Sequence, residues 1–184
     1  DISVMEGQTL PIEKADEYLH YRIRFQNTGT AEAIHVRVEN VIDEKLDWTT
    51  IQLLNTSHNS RFEIENESKL VFFFDNINLI DSLSDEANSH GYINYKIKPK
   101  NNIQATDLVE NQAAIYFDFN LPVITNIAST LFFEPVSITE HQALDYSVFP
   151  VPAGDHIQVS YHRAVAKLTV FNQTGQILLS KNNT

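Results

Sequence analysis

No cysteine occurs among the 184 residues, which excludes a disulfide framework, a thiolate metal site and a cysteine nucleophile. Basic side chains are scarce, 13 Lys and Arg against 24 Asp and Glu for a formal charge of −11. Binding a nucleic-acid backbone needs clustered cations, so that partner is not expected. No apolar run approaches the roughly 20 residues that cross a bilayer, so membrane insertion is not expected either. The opening residues DISVMEGQ lack the basic and apolar regions of a signal peptide. Ile2 to Val4 already reads as a strand, which predicts a piece cut from a longer polypeptide. Helical periodicity sustained over three turns is also missing.

What remains is period-two alternation. In Tyr18 to Thr30, YLHYRIRFQNTGT, the residues Leu19, Tyr21, Ile23 and Phe25 share one parity and His20, Arg22, Arg24 and Gln26 the other. That is a strand with one buried face. Asn27-Thr28-Gly29 ends it, and Ile34, Val36 and Val38 repeat the pattern, predicting an antiparallel pair across a short polar connection. The Gly7 to Pro11 region reads as a loop and Ile51 to Leu54 as a short strand. Phe62 and Ile64 followed by Leu70 to Phe74 read as a hairpin about Asn66-Glu67-Ser68. Val71-Phe72-Phe73-Phe74 is apolar on both parities, as in a strand covered on both sides. Tyr92 to Lys98 places Ile93, Tyr95 and Ile97 inward with Asn94, Lys96 and Lys98 outward. In Asn111 to Asn120, Ala113, Ile115, Phe117 and Phe119 share the inner parity.

Seven to nine such runs predict an all-β, antiparallel β-sandwich over residues 1–134. Residues 135–143 lose the alternation and read as a linker. In residues 144–184, short runs at Tyr146 to Phe149, His156 to Tyr161, Ala166 to Phe171 and Gln176 to Ser180 predict a second, small β unit. Asn172 to Gly175 is its hairpin turn. Four strands without a closing one predict an incomplete sandwich of marginal stability.

Three segments resemble an Ig-like repeat domain of large surface and secreted proteins of the Bacteroidetes: Tyr18 to Thr30, FFFDNINLIDS at Phe72 to Ser82, and NQAAIYFDFNLPVITN at Asn111 to Asn126. Tyr146 to Ser180 is similar to the C-terminal sorting domain of the type IX secretion system. Val148-Phe149-Pro150-Val151-Pro152 stands for its opening turn, with Val151 where Asn is usual, and Asn172-Gln173-Thr174-Gly175 for its hairpin. The family's final Gly-Tyr strand and basic end are not in this sequence. These resemblances imply an Ig-like fold, a secreted or surface location, and the type IX machinery as a partner, with surface glycans or other proteins as further partners.

Candidate chemistry is sparse. Ser57-His58 and Ser89-His90 are nucleophile and base types, but neighbours in sequence rarely aim at one another, and a triad needs an orienting carboxylate. No catalytic residue is expected. His156 and His162 flank one predicted strand, yet two ligands do not close a zinc site. Asp75, Asp81, Asp85 and Glu86 crowd one region and are the hard oxygen ligands that calcium requires, without EF-hand spacing. Calcium is the one cofactor left open. Trp48, Tyr92 and Tyr116 are the candidates for a sugar-stacking platform, Tyr92 and Tyr116 because they lie on the outward parity. The expectation is a non-catalytic spacer or adhesion module followed by a partial sorting domain. The alternative is a carbohydrate-binding module of a secreted polysaccharide-degrading enzyme.

Overall fold

Alternation fixes which side of each strand is dry; register decides which strands share a sheet. The structure, a computed structural model, describes residues 1–135, 146–152, 154–161 and 167–182, and the chain divides into two units, Asp1–Val136 and Ser137–Thr184. The first contains β1 (Ile2–Val4), β2 (Thr9–Pro11), β3 (Leu19–Gln26), β4 (Val36–Val41), β5 (Leu46–Thr56), β6 (Arg61–Glu65), β7 (Lys69–Phe74), β8 (His90–Pro99), β9 (Leu108–Phe117), β10 (Val123–Ile124) and β11 (Ala128–Phe133). Among the described residues the only helix is a 3-10 turn at Ile12–Lys14. It is far too short to cross a membrane.

One sheet has the order β1-β3-β8-β5 and the other β2-β11-β9-β4-β7-β6, with β10 beside β9. The all-β sandwich is therefore observed, with two adjustments to its wiring. First, β3 and β4 are not a hairpin. They lie in different sheets, β3 against β8 and β4 between β7 and β9. The Asn27 to Ile34 connection crosses the sandwich, and Asn27 anchors it by donating its side-chain N–H groups to the carbonyls of Ala31 (2.9 Å) and Leu79 (2.8 Å). Second, one pair is parallel. Thr9 to Pro11, read as loop, runs alongside Leu131 to Phe133.

Between the sheets lie Leu19, Tyr21, Ile23 and Phe25 from β3, Ile93, Tyr95 and Ile97 from β8, and Phe72 and Phe74 from β7, all buried. Each such side chain contributes about 1.5–3 kcal/mol through burial. Tyr21 stacks on Tyr95 at 5.4 Å between centroids, and Phe25 meets Phe74 edge-on at 5.3 Å. Phe25 lies opposite Gly91 in the register, and a Cβ on Gly91 would come within 2.2 Å of the Phe25 ring. That position requires glycine for close approach.

A polar knot sits inside this core. The Tyr95 hydroxyl donates to Asn40 Oδ1 (2.5 Å) and accepts from Asn111 Nδ2 (2.6 Å), while Asn40 Nδ2 bonds Asn111 Oδ1 and the Gln112 carbonyl. The knot ties β8 to β4 and β9 across the two layers. Burial raises the pKa of the Tyr95 phenol well above its usual range, with the neighbouring Tyr21 adding to the shift. The Tyr21 hydroxyl is buried without a hydrogen-bond partner.

Three further expectations are corrected. Strand β5 is 11 residues long, and two register shifts against β8 break its alternation, so only part of it reads as a strand in sequence. Phe119 is not a core residue: β9 ends at Phe117, Asp118 takes a positive φ of 50°, and Phe119 stands fully in solvent. Ile34 precedes β4 and is exposed. The β6–β7 hairpin forms as expected, with Asn66 and Glu67 at φ of 52° and 58° in its turn.

In the second unit β12 (Tyr146–Phe149) pairs antiparallel with β13 (Gln158–Tyr161), and β14 (Lys167–Phe171) with β15 (Ile177–Asn182). Gly175 in the second turn has a φ of 85°, a conformation that glycine adopts without strain. Ile177, Leu178 and Leu179 of β15 are exposed. The expected linker falls mostly, and His162 wholly, outside the described residues.

Candidate functional site

With the space between the sheets filled by rings, aliphatic groups and the Tyr95–Asn40–Asn111 knot, most charged residues of the first unit fall on its outer faces and loops. On the second sheet the register aligns Tyr116, Arg37, Phe73 and Arg61 in one row across β9, β4, β7 and β6. The Arg37 guanidinium lies 4.3 Å from the Tyr116 centroid and that of Arg61 4.0 Å from Phe73. The next row holds Glu39 and Glu63, which pair with Arg37 (3.3 Å) and Arg61. Lys69 reaches Glu65 at 2.8 Å and Glu39 at 3.8 Å, and its hydrogen bond to Glu65 raises its pKa. This explains the doubly apolar run of β7: outward Phe73 lies under the Arg61 guanidinium, and outward Val71 stands between Glu39 and Glu63 in the register. Exposed pairs of this kind contribute roughly 0–1 kcal/mol each.

On the first sheet the outward rows are Tyr18 near Lys98, His20 beside Lys96 and Gln52, Arg22 beside Asn94 and Asn55, and Arg24 beside Tyr92. Arg22 Nε donates to Asn94 Oδ1 (2.8 Å), whose amide in turn donates to Asn55 Oδ1 (2.6 Å). His20 pairs with Glu6 at 2.6 Å and Arg24 with Asp1 at 2.7 Å.

The calcium candidates do not converge. Asp81 caps the turn that follows it, accepting from the Ser84 hydroxyl (2.8 Å) and the N–H groups of Ser84 and Leu83, and these bonds hold its carboxyl below the usual range. Asp85 accepts from the Asn88 side chain and backbone, with the same effect, Glu86 pairs with His90 (2.9 Å), and Asp75 faces Arg61 (3.8 Å) and His35 (3.9 Å). Among the described residues no three His, Asp or Glu side chains gather as metal ligands.

The stacking candidates do not share a platform. Trp48 is partly buried against the core, Tyr92 stands 40% exposed on the first sheet, and Tyr116 lies under Arg37 on the second. The group missed in sequence is Tyr18 with Lys96 and Lys98. The outward parity of both lysines was the available signal; their convergence on Tyr18 depends on register.

Ser57 and His58 do meet, against expectation, with Oγ 2.8 Å from Nδ1. Ser57 Oγ also accepts the Tyr92 N–H at 2.9 Å, and Thr56 Oγ1 donates to the His58 carbonyl. The dyad thus clamps the end of β5 to β8, and among the described residues no carboxylate accepts a hydrogen bond from the His58 ring. Ser89 is buried and bonds the Glu86 carbonyl (2.7 Å), with Gln26 donating to its Oγ. His156 pairs with Asp155 at 2.8 Å. A surface depression of about 580 Å³ near the end of β9 has Asp1, Arg24 and His90 as its ionisable lining, alongside Phe117 and Leu121. Asp1 and Arg24 are spent on each other.

Residues 1–131 match the profile of a family described as "Domain of unknown function (DUF7619)". No curated protein matches the sequence. Among solved structures, the C-terminal domain of the Streptococcus agalactiae AgI/II polypeptide BspA is similar at a TM-score of 0.51 and 12% identity, over 73% of this chain and 49% of that one. A further structure, named BspA_C_WT, gives a TM-score of 0.53 at 12% identity and the same coverage. The collagen-binding domain from a Staphylococcus aureus adhesin overlaps less well, with a TM-score of 0.43 at 11% identity over 72% of this chain and 95% of that one. At such identities the likeness concerns the fold alone.

Proposed function

We propose that this chain, which belongs to the DUF7619 family over residues 1–131, is a non-catalytic, extracellular β-sandwich module serving adhesion or spacing within a larger secreted or surface-attached protein. The observation that carries this reading is the placement of ionisable groups. In the first unit they lie on the two outer faces and in the loops, several in ion pairs such as Arg37–Glu39 and His20–Glu6, and the knot of Tyr95, Asn40 and Asn111 in the interior has no acid or base in it. The fold shared with the BspA C-terminal domain supports the same reading.

The resemblance of residues 144–184 to a type IX sorting domain supports a second part: 1–134 as the module, 135–143 as linker, and 144–184 as the region through which the secretion machinery recognises the protein. The experiment is immunolabelling of intact cells that produce the parent protein, with an antibody raised against residues 1–135. Surface labelling is expected. Labelling that requires permeabilised cells would overturn the proposal.

A further inference from the structure

Both outer faces pair some of their cations, Arg24 with Asp1 on the first sheet among them. On the second sheet Arg37, Arg61 and Lys69 all make ion pairs. On the first sheet, Lys96, Lys98 and Arg22 have no Asp or Glu partner within 4.0 Å among the described residues. In a chain of formal charge −11, these three cations are neighbours on one face; the nearest acids are Asp47, opposite Lys98 in the register but outside ion-pair distance, and Glu6, which is engaged by His20.

Lys96 and Lys98 are two residues apart on β8 and so share a face. Both turn to one ring, with Nζ 4.3 Å and 5.0 Å from the Tyr18 centroid. Gln52 Nε2 donates to the Tyr18 hydroxyl at 2.9 Å and fixes that ring. The ring's π face offsets part of the repulsion between the ammonium groups, but neither is neutralised. Arg22, one row beyond, spends Nε on Asn94, and its terminal nitrogens make no hydrogen bond among the described residues. From the Lys98 row to the Arg22 row is four residues, about 13 Å at the rise of a strand.

We infer that this face binds an acidic polysaccharide, with the carboxylate or sulfate groups of successive sugars seated on the Lys96–Lys98 pair and on Arg22. The neighbouring groups are the amides of Gln52 and Asn55 and the 40% exposed ring of Tyr92, which suit sugar hydroxyls and ring faces. Leu54, 48% exposed between Gln52 and Asn55 on the edge strand, is the aliphatic group that a protein partner would use as an anchor; the charge of the face and the amides beside it favour the glycan, and the poly-glutamate arm of the test separates the two. The inference rests on the adhesive reading above and names its partner.

The test is affinity electrophoresis and biolayer interferometry of the full chain with polygalacturonate, chondroitin sulfate, neutral dextran and poly-glutamate. Binding to at least one acidic glycan at low salt, weakening steeply as salt rises, is expected, with none to dextran. K96E/K98E is expected to bind at least tenfold more weakly and K96Q/K98Q to fall between, while K167E/K181E, with the same charge change in the other unit, binds as the parent does. Near-UV circular dichroism establishes that each variant is folded, and K96Q/K98Q carries the test if K96E/K98E is not. Failure of both acidic glycans to bind, or unchanged binding by folded lysine variants, would overturn the inference. So would equal binding to poly-glutamate, which would assign an acidic protein instead. Surface labelling of cells is read separately, so a failure there is distinguishable from a failure here.

Discussion

Tyr21 and Tyr95 stack ring on ring in the core, yet their hydroxyls stand in opposite situations. That of Tyr95 is bonded to Asn40 and Asn111, and that of Tyr21 is buried with no partner. Removing the first strands a buried amide oxygen and a buried amide N–H, each of which then bears its desolvation cost. Removing the second deletes a polar atom that was already unsatisfied. Tyr95→Phe is therefore expected to lower stability by about 1–3 kcal/mol and Tyr21→Phe to leave it unchanged or raise it slightly. Urea unfolding followed by tryptophan fluorescence compares the two. An unchanged stability of Tyr95→Phe would mean that the knot contributes nothing to holding the layers together.

At the scale of the element, the β6–β7 turn carries a correctable strain. Glu67 sits at φ 58°, where a side chain costs roughly 1–2 kcal/mol relative to glycine; in the three-residue connection Asn66-Glu67-Ser68 it follows Asn66, also at positive φ, a succession for which Asn-Gly is preferred. Glu67→Gly should raise the thermal midpoint, by about 0.5–1 kcal/mol of stability once the greater flexibility of glycine in the unfolded chain is included. A lowered midpoint would show that Glu67 makes a compensating contact.

What the sequence made legible at this scale follows from the same physics. The inward residues of β3 and β8 were readable because an unbroken alternation has only one dry side. The partners of β3 were not, since parity names a face and says nothing of the sheet across from it. Strand β5 was shortened by its register shifts, and β2 was hidden because three residues ending in proline carry no period. Phe119 was misplaced because Asp118, at positive φ, turns the chain out of the strand; Asn and Asp tolerate that conformation, but nothing in the pattern announces it. For the candidate site, the outward parity of Lys96 and Lys98 was visible, whereas their meeting at Tyr18 depends on the pairing of β3, β8 and β5.

At the scale of the whole molecule, the described part of the first unit keeps most of its acids and bases on outer faces and the rings of Tyr21, Phe72, Phe74 and Tyr95 inside, the arrangement on which the adhesive proposal rests. A catalytic sandwich of this size would need an oriented base and a site for the developing charge, and the Ser57–His58 pair is instead engaged in fastening β5 to β8. The most direct measurement is incubation of the immobilised chain with end-labelled polygalacturonate, recording both the retained label and the length of the polymer afterwards. With labelled chondroitin sulfate run alongside, retention of at least one of the two polymers with its length distribution unchanged is the predicted result; retention of neither, or release of shortened chains, would contradict the account.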